Sequence, residues 1–183
     1  MILFSEAVSL SEVDKTPGQN PCCVFVGRMQ PPTLAHINIL KEIYNQYSLP
    51  VFIFIVKASN SSSPFPGELI KKILEVNLQG NYHINIISSG FIGDWLNILR
   101  KENYEPKYLF SGTDRETDYS QQIKRYEDLF NLDIKLKVIP RGITDISATK
   151  AREYLRKDDL EGFINITTPQ TAKFFEELKK YLL

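Results

Sequence analysis

Short apolar runs alternate with amphipathic helical patterns along most of this chain, and that alternation restricts the fold more than any other feature. The run at residues 51–56 (Val-Phe-Ile-Phe-Ile-Val) is continuous, which is typical of a strand covered on both faces. Such strands form parallel sheets whose right-handed crossover helices lie on both faces. The sequence therefore predicts an α/β fold with a doubly wound parallel sheet.

The runs predict five strands, and apolar positions three and four residues apart predict the helices between them. The Rossmann-like, five-stranded parallel sheet would be followed by carboxyl-terminal helices, and ligands would bind at the carboxyl ends of the strands. Strands are predicted at residues 24–26, 51–56, 83–88, 107–110 and 134–139. Helices are predicted at residues 34–47, 67–78, 92–101, 121–130, 148–157, 160–164 and 169–183.

Composition favours one soluble domain. The chain has 183 residues, of which 43% are hydrophobic, so we expect one domain at residues 21–183 after an N-terminal extension at residues 1–20. Basic and acidic residues are equal in number, 22 each, which disfavours nucleic-acid and membrane partners. Cys22 and Cys23 are adjacent on a predicted buried strand, which argues against a disulfide and favours a reducing compartment. No apolar run approaches the roughly 20 residues of a membrane span. We expect a cytoplasmic location.

Residues 27–36 (Gly-Arg-Met-Gln-Pro-Pro-Thr-Leu-Ala-His) lie between the first predicted strand and the first predicted helix. A glycine at a strand end lets backbone approach a ligand, and the helix that follows presents free amides. Thr33 and His36 are three residues apart at the helix start, so both can face one phosphate. This segment is predicted to be a phosphate-binding turn.

A second polar segment, residues 146–152 (Ile-Ser-Ala-Thr-Lys-Ala-Arg), follows the fifth predicted strand and begins another helix. Ser147 suits the N-cap position, the hydroxyls of Ser147 and Thr149 can donate to phosphate oxygens, and Arg152 offers a guanidinium fork. Two helix starts would then flank one polyphosphate. Taken separately, each segment is typical of ordinary helix capping, and their joint occurrence favours the functional interpretation.

The two segments resemble the Gly-Arg-Phe-x-Pro-x-His/Thr-x-Gly-His and Ile-Ser-Ser-Thr-x-Ile-Arg motifs of the nucleotidyltransferase superfamily related to class I aminoacyl-tRNA synthetases. The first is most similar to that of the nicotinamide mononucleotide adenylyltransferases, and residues 63–66 (Ser-Pro-Phe-Pro) are similar to their Asn-Pro-Phe-Thr segment. Met29, Ala35 and Ala148 differ from the motifs, while Thr33 is the form typical of pantetheine-phosphate adenylyltransferases.

The resemblance implies attack of an acceptor phosphate on the α-phosphate of ATP, with Mg²⁺ held by the triphosphate and not by the protein. It implies that His36, Thr33 and Arg152 are catalytic. Pantetheine-phosphate adenylyl transfer, cytidylyl transfer, and a nucleotide-binding regulatory or virion protein without turnover stay open as alternatives. The resemblance assigns nucleotide or phosphate binding to Gly27, Arg28, Met29, Ser147 and Thr149.

Further candidate residues follow the other strands. In residues 111–115 (Ser-Gly-Thr-Asp-Arg), the resemblance makes Gly112 and Asp114 candidates for ribose or base contacts, although the segment also suits an ordinary turn. Lys57, at the end of the second strand, is a candidate for acceptor binding. Trp95 could stack on a flat acceptor such as nicotinamide, but a core tryptophan on a helix is the favoured interpretation.

The expected partners are ATP and a small phosphorylated acceptor, and a homo-oligomer is an open alternative. Within residues 1–20, the apolar positions suit a short amphipathic helix ahead of residues 16–18 (Thr-Pro-Gly). This extension also resembles the short leader with which some tailed-phage proteins enter capsids, with Leu-Ser-Glu at residues 10–12 as the cleavage site. That alternative would place the protein in a virion.

Overall fold

The computed structural model describes residues 13–57, 60, 62–140 and 148–182. Five strands form one all-parallel sheet in the order β3-β2-β1-β4-β5, which confirms the predicted fold class. The strands are β1 Asn20–Gly27, β2 Val51–Val56, β3 Tyr82–Ile87, β4 Tyr104–Gly112 and β5 Lys135–Ile139. The helices are α1 Leu34–Tyr47, α2 Gly67–Asn77, α3 Ile92–Lys101, α4 Glu116–Phe130, α5 Ala148–Arg156, α6 Leu160–Ile166, α7 Pro169–Ala172 and α8 Phe175–Lys179.

The helices cover both faces of the sheet, and each face has its own hydrophobic core. Alternate residues of the central strands supply the two cores: Phe25 points to one face, where α1, α2, α5, α6 and α8 pack, and Val24 points to the other. On that second face α3 and α4 pack, with Trp95 against Phe54. Burial on both faces explains the continuous apolar runs in the sequence.

The first three strands are added in one direction along the sheet, and the chain then crosses to the other side of β1 to form β4 and β5. The crevice between β1 and β4 is therefore the point at which the strand order reverses. In open parallel sheets, ligands bind at this point, outside the carboxyl ends of the strands. The segments that follow β1, β2 and β4 all begin at this edge.

The largest differences from the predicted elements lie at the starts of α4, β1 and β4 and in the last helix. α4 begins at Glu116, five residues before the predicted start at residue 121. β4 begins at Tyr104 and contains Pro106, because it pairs with β1 through an irregularity between Cys22 and Cys23. The predicted helix at 169–183 is two short helices, α7 and α8. Thr171, at this break, is buried and hydrogen-bonded to Asn77 of α2.

Residues 13–19 lie against the domain. Val13 is buried in the core beside α3, and the guanidinium of Arg100 donates to the carbonyl of Asp14 over 2.7 Å. The same guanidinium pairs with Glu105 over 2.7 Å and donates to the carbonyl of Phe130. The part of the extension that carries the proposed amphipathic helix and cleavage site, residues 1–12, lies outside the described residues.

Cys22 and Cys23 are both buried in the first strand and unpaired. Burial raises the pKa of both thiols, that of Cys23 to about 12, so neither is a nucleophile at neutral pH. Among the helices of the described ranges, none is long and apolar enough to span a membrane.

Candidate nucleotide-binding site

The turn between β1 and α1 begins at Gly27, the last residue of the strand. A Cβ at Gly27 would lie 3.1 Å from a ring carbon of Phe25, so a larger residue here would require the Phe25 ring to shift. Met29 has a φ of 47°, in the left-handed region, and its side chain packs in the core. The Met29 side chain is 4% exposed, so any contact of this residue with a nucleotide would be made by its backbone.

Thr33 and His36 form a capping box at the start of α1. The Thr33 side chain accepts from the backbone N–H of His36, and His36 Nδ1 accepts from the backbone N–H of Thr33 over 3.2 Å. The Thr33 hydroxyl lies 2.8 Å from the same Nδ1. The sequence prediction that these two side chains share one helix start is therefore confirmed.

This network fixes the protonation of the His36 ring. A backbone N–H can only donate, so Nδ1 must be the unprotonated nitrogen, and the ring proton lies on Nε2. Burial lowers the pKa of His36 from 6.5 to about 4. At neutral pH, His36 is thus a neutral hydrogen-bond donor through Nε2, and no described residue bonds to that nitrogen.

Arg152 connects the start of α5 to the turn. Its guanidinium donates to the carbonyl of Gln30 and, over 3.1 Å, to the hydroxyl of Thr149. Arg152 is only 7% exposed, which is unusual for a charged side chain. Two segments that are more than a hundred residues apart in sequence are therefore in direct contact, as the two motifs predict.

The two guanidinium groups of Arg28 and Arg152 make the described part of the site electropositive. Burial lowers the pKa of Arg152 most, and the positive charges of Arg156 and Arg28 lower it further, while Glu153 opposes them. Within the part of the chain that the structure describes, no acidic side chain forms an ion pair with Arg28 or Arg152. Two guanidinium groups close to one helix start suit a polyvalent anion.

Gln30 is a component of the site that sequence reasoning missed. It is 4% exposed, and its side-chain amide bonds to both backbone groups of Phe65, in the segment that follows β2. Arg28 contacts the same segment, with Nη1 3.3 Å from the hydroxyl of Ser62. The available signals were the position of Gln30 inside the first motif and the similarity of residues 63–66 to a family segment.

The remaining candidate residues from the sequence take no part in the contact between Arg152 and Gln30. Ser147 lies outside the described residues. Gly112 ends β4 at the carboxyl edge, and Asp114 is exposed in a 3-10 turn at Thr113–Arg115. Arg115, in the same turn, pairs with Asp118 over 3.3 Å. Lys57 is exposed directly after β2, also at this edge.

The acceptor-stacking role of Trp95 is wrong. Its ring is 0% exposed and packs against Phe54, with the ring centroids 6.1 Å apart. A planar ligand cannot reach either face of this indole. Trp95 is a core residue on α3, which was the favoured interpretation of the sequence.

The protein side chains do not form a metal site of their own in the described ranges, since no group of three or more His, Cys, Asp or Glu residues converges there. The polar groups of the candidate site are backbone amides, hydroxyls and guanidinium nitrogens, which can donate hydrogen bonds to phosphate oxygens. This donor set is compatible with a magnesium ion that is bound by a nucleotide triphosphate.

No protein-family model matches the chain, and no curated protein sequence matches it either. Solved structures do match. The nicotinic acid mononucleotide adenylyltransferase of Plasmodium falciparum, complexed with APC, superposes with a TM-score of 0.60 at 16% identity, over 89% of this chain and 98% of that chain. A Vibrio parahaemolyticus protein provisionally assigned as a nicotinate-nucleotide adenylyltransferase superposes with a TM-score of 0.61 at 14% identity, over 90% and 96% of the two chains.

A third match is TmcAL of Thermotoga maritima bound with alpha-thio ATP, with a TM-score of 0.59 at 9% identity. It covers 87% of this chain and 56% of that longer chain. The fold shared with all three proteins agrees with the family that the motifs resemble. At these identities the likeness establishes the fold alone, an α/β architecture that this chain shares with the three proteins.

Proposed function

We propose that this protein is a nucleotidyltransferase that transfers the adenylyl group of ATP to a small phosphorylated acceptor and releases pyrophosphate. One observation carries the proposal: the buried contact between Arg152 and Gln30 joins the two phosphate-binding segments at one helix start. Arg28 and the capping box of Thr33 and His36 belong to the same turn. The structural matches to adenylyltransferases support the same reaction class.

The positive site would bind the triphosphate of ATP. Arg28 and Arg152 repel each other and have no carboxylate partner in the described ranges, so a bound polyphosphate would relieve that repulsion. Thr149 lies beside the guanidinium of Arg152 and exposes its hydroxyl for a phosphate oxygen. Arg152 and Thr149, with Ser147, would hold the departing pyrophosphate.

The chemical step needs positioning and charge stabilisation and no protein nucleophile. A phosphate oxygen of the acceptor attacks the α-phosphorus of ATP and forms a new P–O bond. The bond from that phosphorus to the oxygen that bridges it to the β-phosphate breaks, and pyrophosphate leaves with the electron pair. His36 would donate from Nε2–H to a non-bridging α-phosphate oxygen, and Thr33 would keep the ring in that orientation.

Magnesium bound to ATP would supply positive charge that neutralises part of the triphosphate charge. The protein would hold that complex through its phosphate oxygens. Gly112 and Asp114, after β4, would contact the ribose or the base, because they lie at the opposite side of the crevice from the segment after β2.

For the acceptor, we propose nicotinamide mononucleotide or its acid, giving NAD or its acid precursor. The support is the resemblance of the first motif to that of nicotinamide mononucleotide adenylyltransferases and the names of two structural matches. One is a nicotinic acid mononucleotide adenylyltransferase, and the other is provisionally assigned as a nicotinate-nucleotide adenylyltransferase. Lys57, exposed beyond β2, is the proposed phosphate or carboxylate contact for this acceptor. Phosphopantetheine, which Thr33 favours, and cytidylyl transfer from CTP to a phosphorylated alcohol are the alternatives.

The test is pyrophosphate release by the purified protein with magnesium, in which ATP and CTP are each combined with nicotinamide mononucleotide, nicotinic acid mononucleotide, phosphopantetheine and a phosphorylated alcohol. His36→Ala should lower turnover about a hundredfold to a thousandfold with an active pair. The chain has only two histidines, so His83→Gln, a change on β3, is the matched control and should keep full turnover. Full activity in the His36→Ala variant would refute the proposed role.

A further inference from the structure

The side chain of Gln30 pairs with the backbone of Phe65 as a neighbouring strand would. Its Nε2 donates to the Phe65 carbonyl over 2.9 Å, and its Oε1 accepts from the Phe65 N–H over 2.8 Å. Both residues are buried, at 4% and 2% exposure. Because the amide uses one donor and one acceptor on the same residue, it fixes the orientation of that peptide as well as its distance.

Phe65 belongs to the segment of residues 62–66, which leads from the region after β2 into α2. A second contact holds this segment, since Arg28 Nη1 lies 3.3 Å from the hydroxyl of Ser62. Ser63 is buried, and its backbone N–H donates to the carbonyl of Asn60. The phosphate-binding turn therefore contacts the 62–66 segment at both of its ends, through Arg28 and Gln30.

The backbone carbonyl of Gln30 points elsewhere and accepts from the guanidinium of Arg152. One residue thus links the turn, the 62–66 segment and the start of α5. The link to Arg152 uses the backbone, and the link to Phe65 uses the side chain. A side-chain substitution can therefore remove the second link and keep the first.

We propose that Gln30 is a positioning residue that holds the 62–66 segment against the phosphate-binding turn and so fixes the acceptor side of the site. The part of this inference that concerns acceptor binding rests on the proposed function. The sheet order supports the assignment to the acceptor: β2 and the segment after it lie on one side of β1, while β4, with the candidate ribose contacts, lies on the other. Gln30 then governs acceptor binding and leaves ATP binding to Arg152 and α1.

Gln30→Met tests the inference, because methionine has a similar length and neither donates nor accepts a hydrogen bond to an amide. We expect the KM for the acceptor to rise tenfold to about a hundredfold, as for a small misplacement of a binding element, with the KM for ATP within about twofold. The control is Gln79→Met, at an exposed residue remote from the site, which should change neither KM. An unchanged acceptor KM, or equal rises of both KM values, would overturn the acceptor assignment.

Amide hydrogen exchange at Phe65 tests the structural half without any activity. In the wild type we expect this amide to exchange roughly a hundredfold more slowly than an unbonded loop amide, and in Gln30→Met we expect most of that protection to be lost. An unprotected Phe65 amide in the wild type would refute the positioning role by itself. That result does not depend on whether a variant folds.

Far-ultraviolet circular dichroism and calorimetric ATP binding report on the fold of each variant. If Gln30→Met does not fold, Gln30→Asn is the second variant, because it keeps the amide but shortens the side chain by one methylene. We again expect the KM for the acceptor to rise and the KM for ATP to stay within about twofold. If the wild type turns over no acceptor, the proposed function fails. The exchange rates at Phe65 in wild type and variant then still decide whether Gln30 holds the 62–66 segment.

Discussion

Lowering the pH should destabilise this protein through His36, because the capping box needs an unprotonated Nδ1. Protonation would place an N–H on Nδ1 against the donor N–H of Thr33, 3.2 Å away. The folded pKa is about 4, below the ordinary 6.5, so the unfolded chain binds the proton more tightly. Stability from this residue is therefore fully present above pH 6.5 and is lost as the pH falls towards 4.

The size of the effect follows from the two pKa values. Between pH 7 and pH 4.5 the linkage relation gives a loss of about 2 kcal/mol of unfolding free energy, an upper limit because His36 is only partly buried in the structure. Carboxylates also titrate in this range, so the wild type alone cannot isolate the contribution. His36→Gln is the matched variant, because glutamine at this helix position can complete a capping box and does not titrate.

The assay is urea unfolding of the wild type and of His36→Gln at several pH values from 7 to 4.5. We expect the wild type to lose up to about 2 kcal/mol more unfolding free energy than the variant over this range. A proton NMR titration supplies the pKa directly, because the chain has two histidines and His83→Gln assigns the remaining signal to His36. A parallel decline of both proteins, together with a His36 midpoint near 6.5, would refute the neutral-donor state.

Three other predictions concern residues with distinct roles. Arg152→Lys keeps the charge but not the fork that reaches Gln30 and Thr149, so turnover should fall about a hundredfold, while Arg156→Lys on the same helix keeps full turnover in the same pyrophosphate assay. Arg100→Met leaves Glu105 without its buried partner and should cost about 3–5 kcal/mol in urea unfolding, with calorimetric ATP affinity unchanged. Trp95→Phe should cost about 1–3 kcal/mol and leave the acceptor KM within about twofold; a large rise in that KM would restore a ligand-binding role.

The sequence predicts this fold well because its strands are buried on both faces. Residues 51–56 form β2 as predicted, since a continuous apolar run of that length suits little else between two amphipathic helices. The start of β4 was missed because Pro106 disfavours a strand, and only pairing with β1 stabilises it there. Next to the break between α7 and α8, Thr171 accepts a hydrogen bond from Asn77 of α2, a long-range contact that the local sequence pattern does not contain.

The candidate site was predictable where chemistry is local and unpredictable where it depends on long-range contacts. Spacing along one helix start placed Thr33 beside His36, and the capping box confirms it. The role of Trp95 could not be decided, because an apolar helix position and a ligand-stacking position have the same sequence signal. Gln30 contacts Phe65, 35 residues away, and a polar residue in a turn gives no sign that it is buried.

Transfer of label from ATP would test the proposed reaction most directly. The protein is incubated with magnesium, the active acceptor and ATP that carries ³²P at the α-position, and in parallel with ATP labelled at the γ-position. We predict that the α-label appears in the dinucleotide-type product and the γ-label in pyrophosphate, with no label on the protein. Appearance of the γ-label in the acceptor, covalent labelling of the protein, or ATP binding without any transfer would contradict adenylyl transfer at this site.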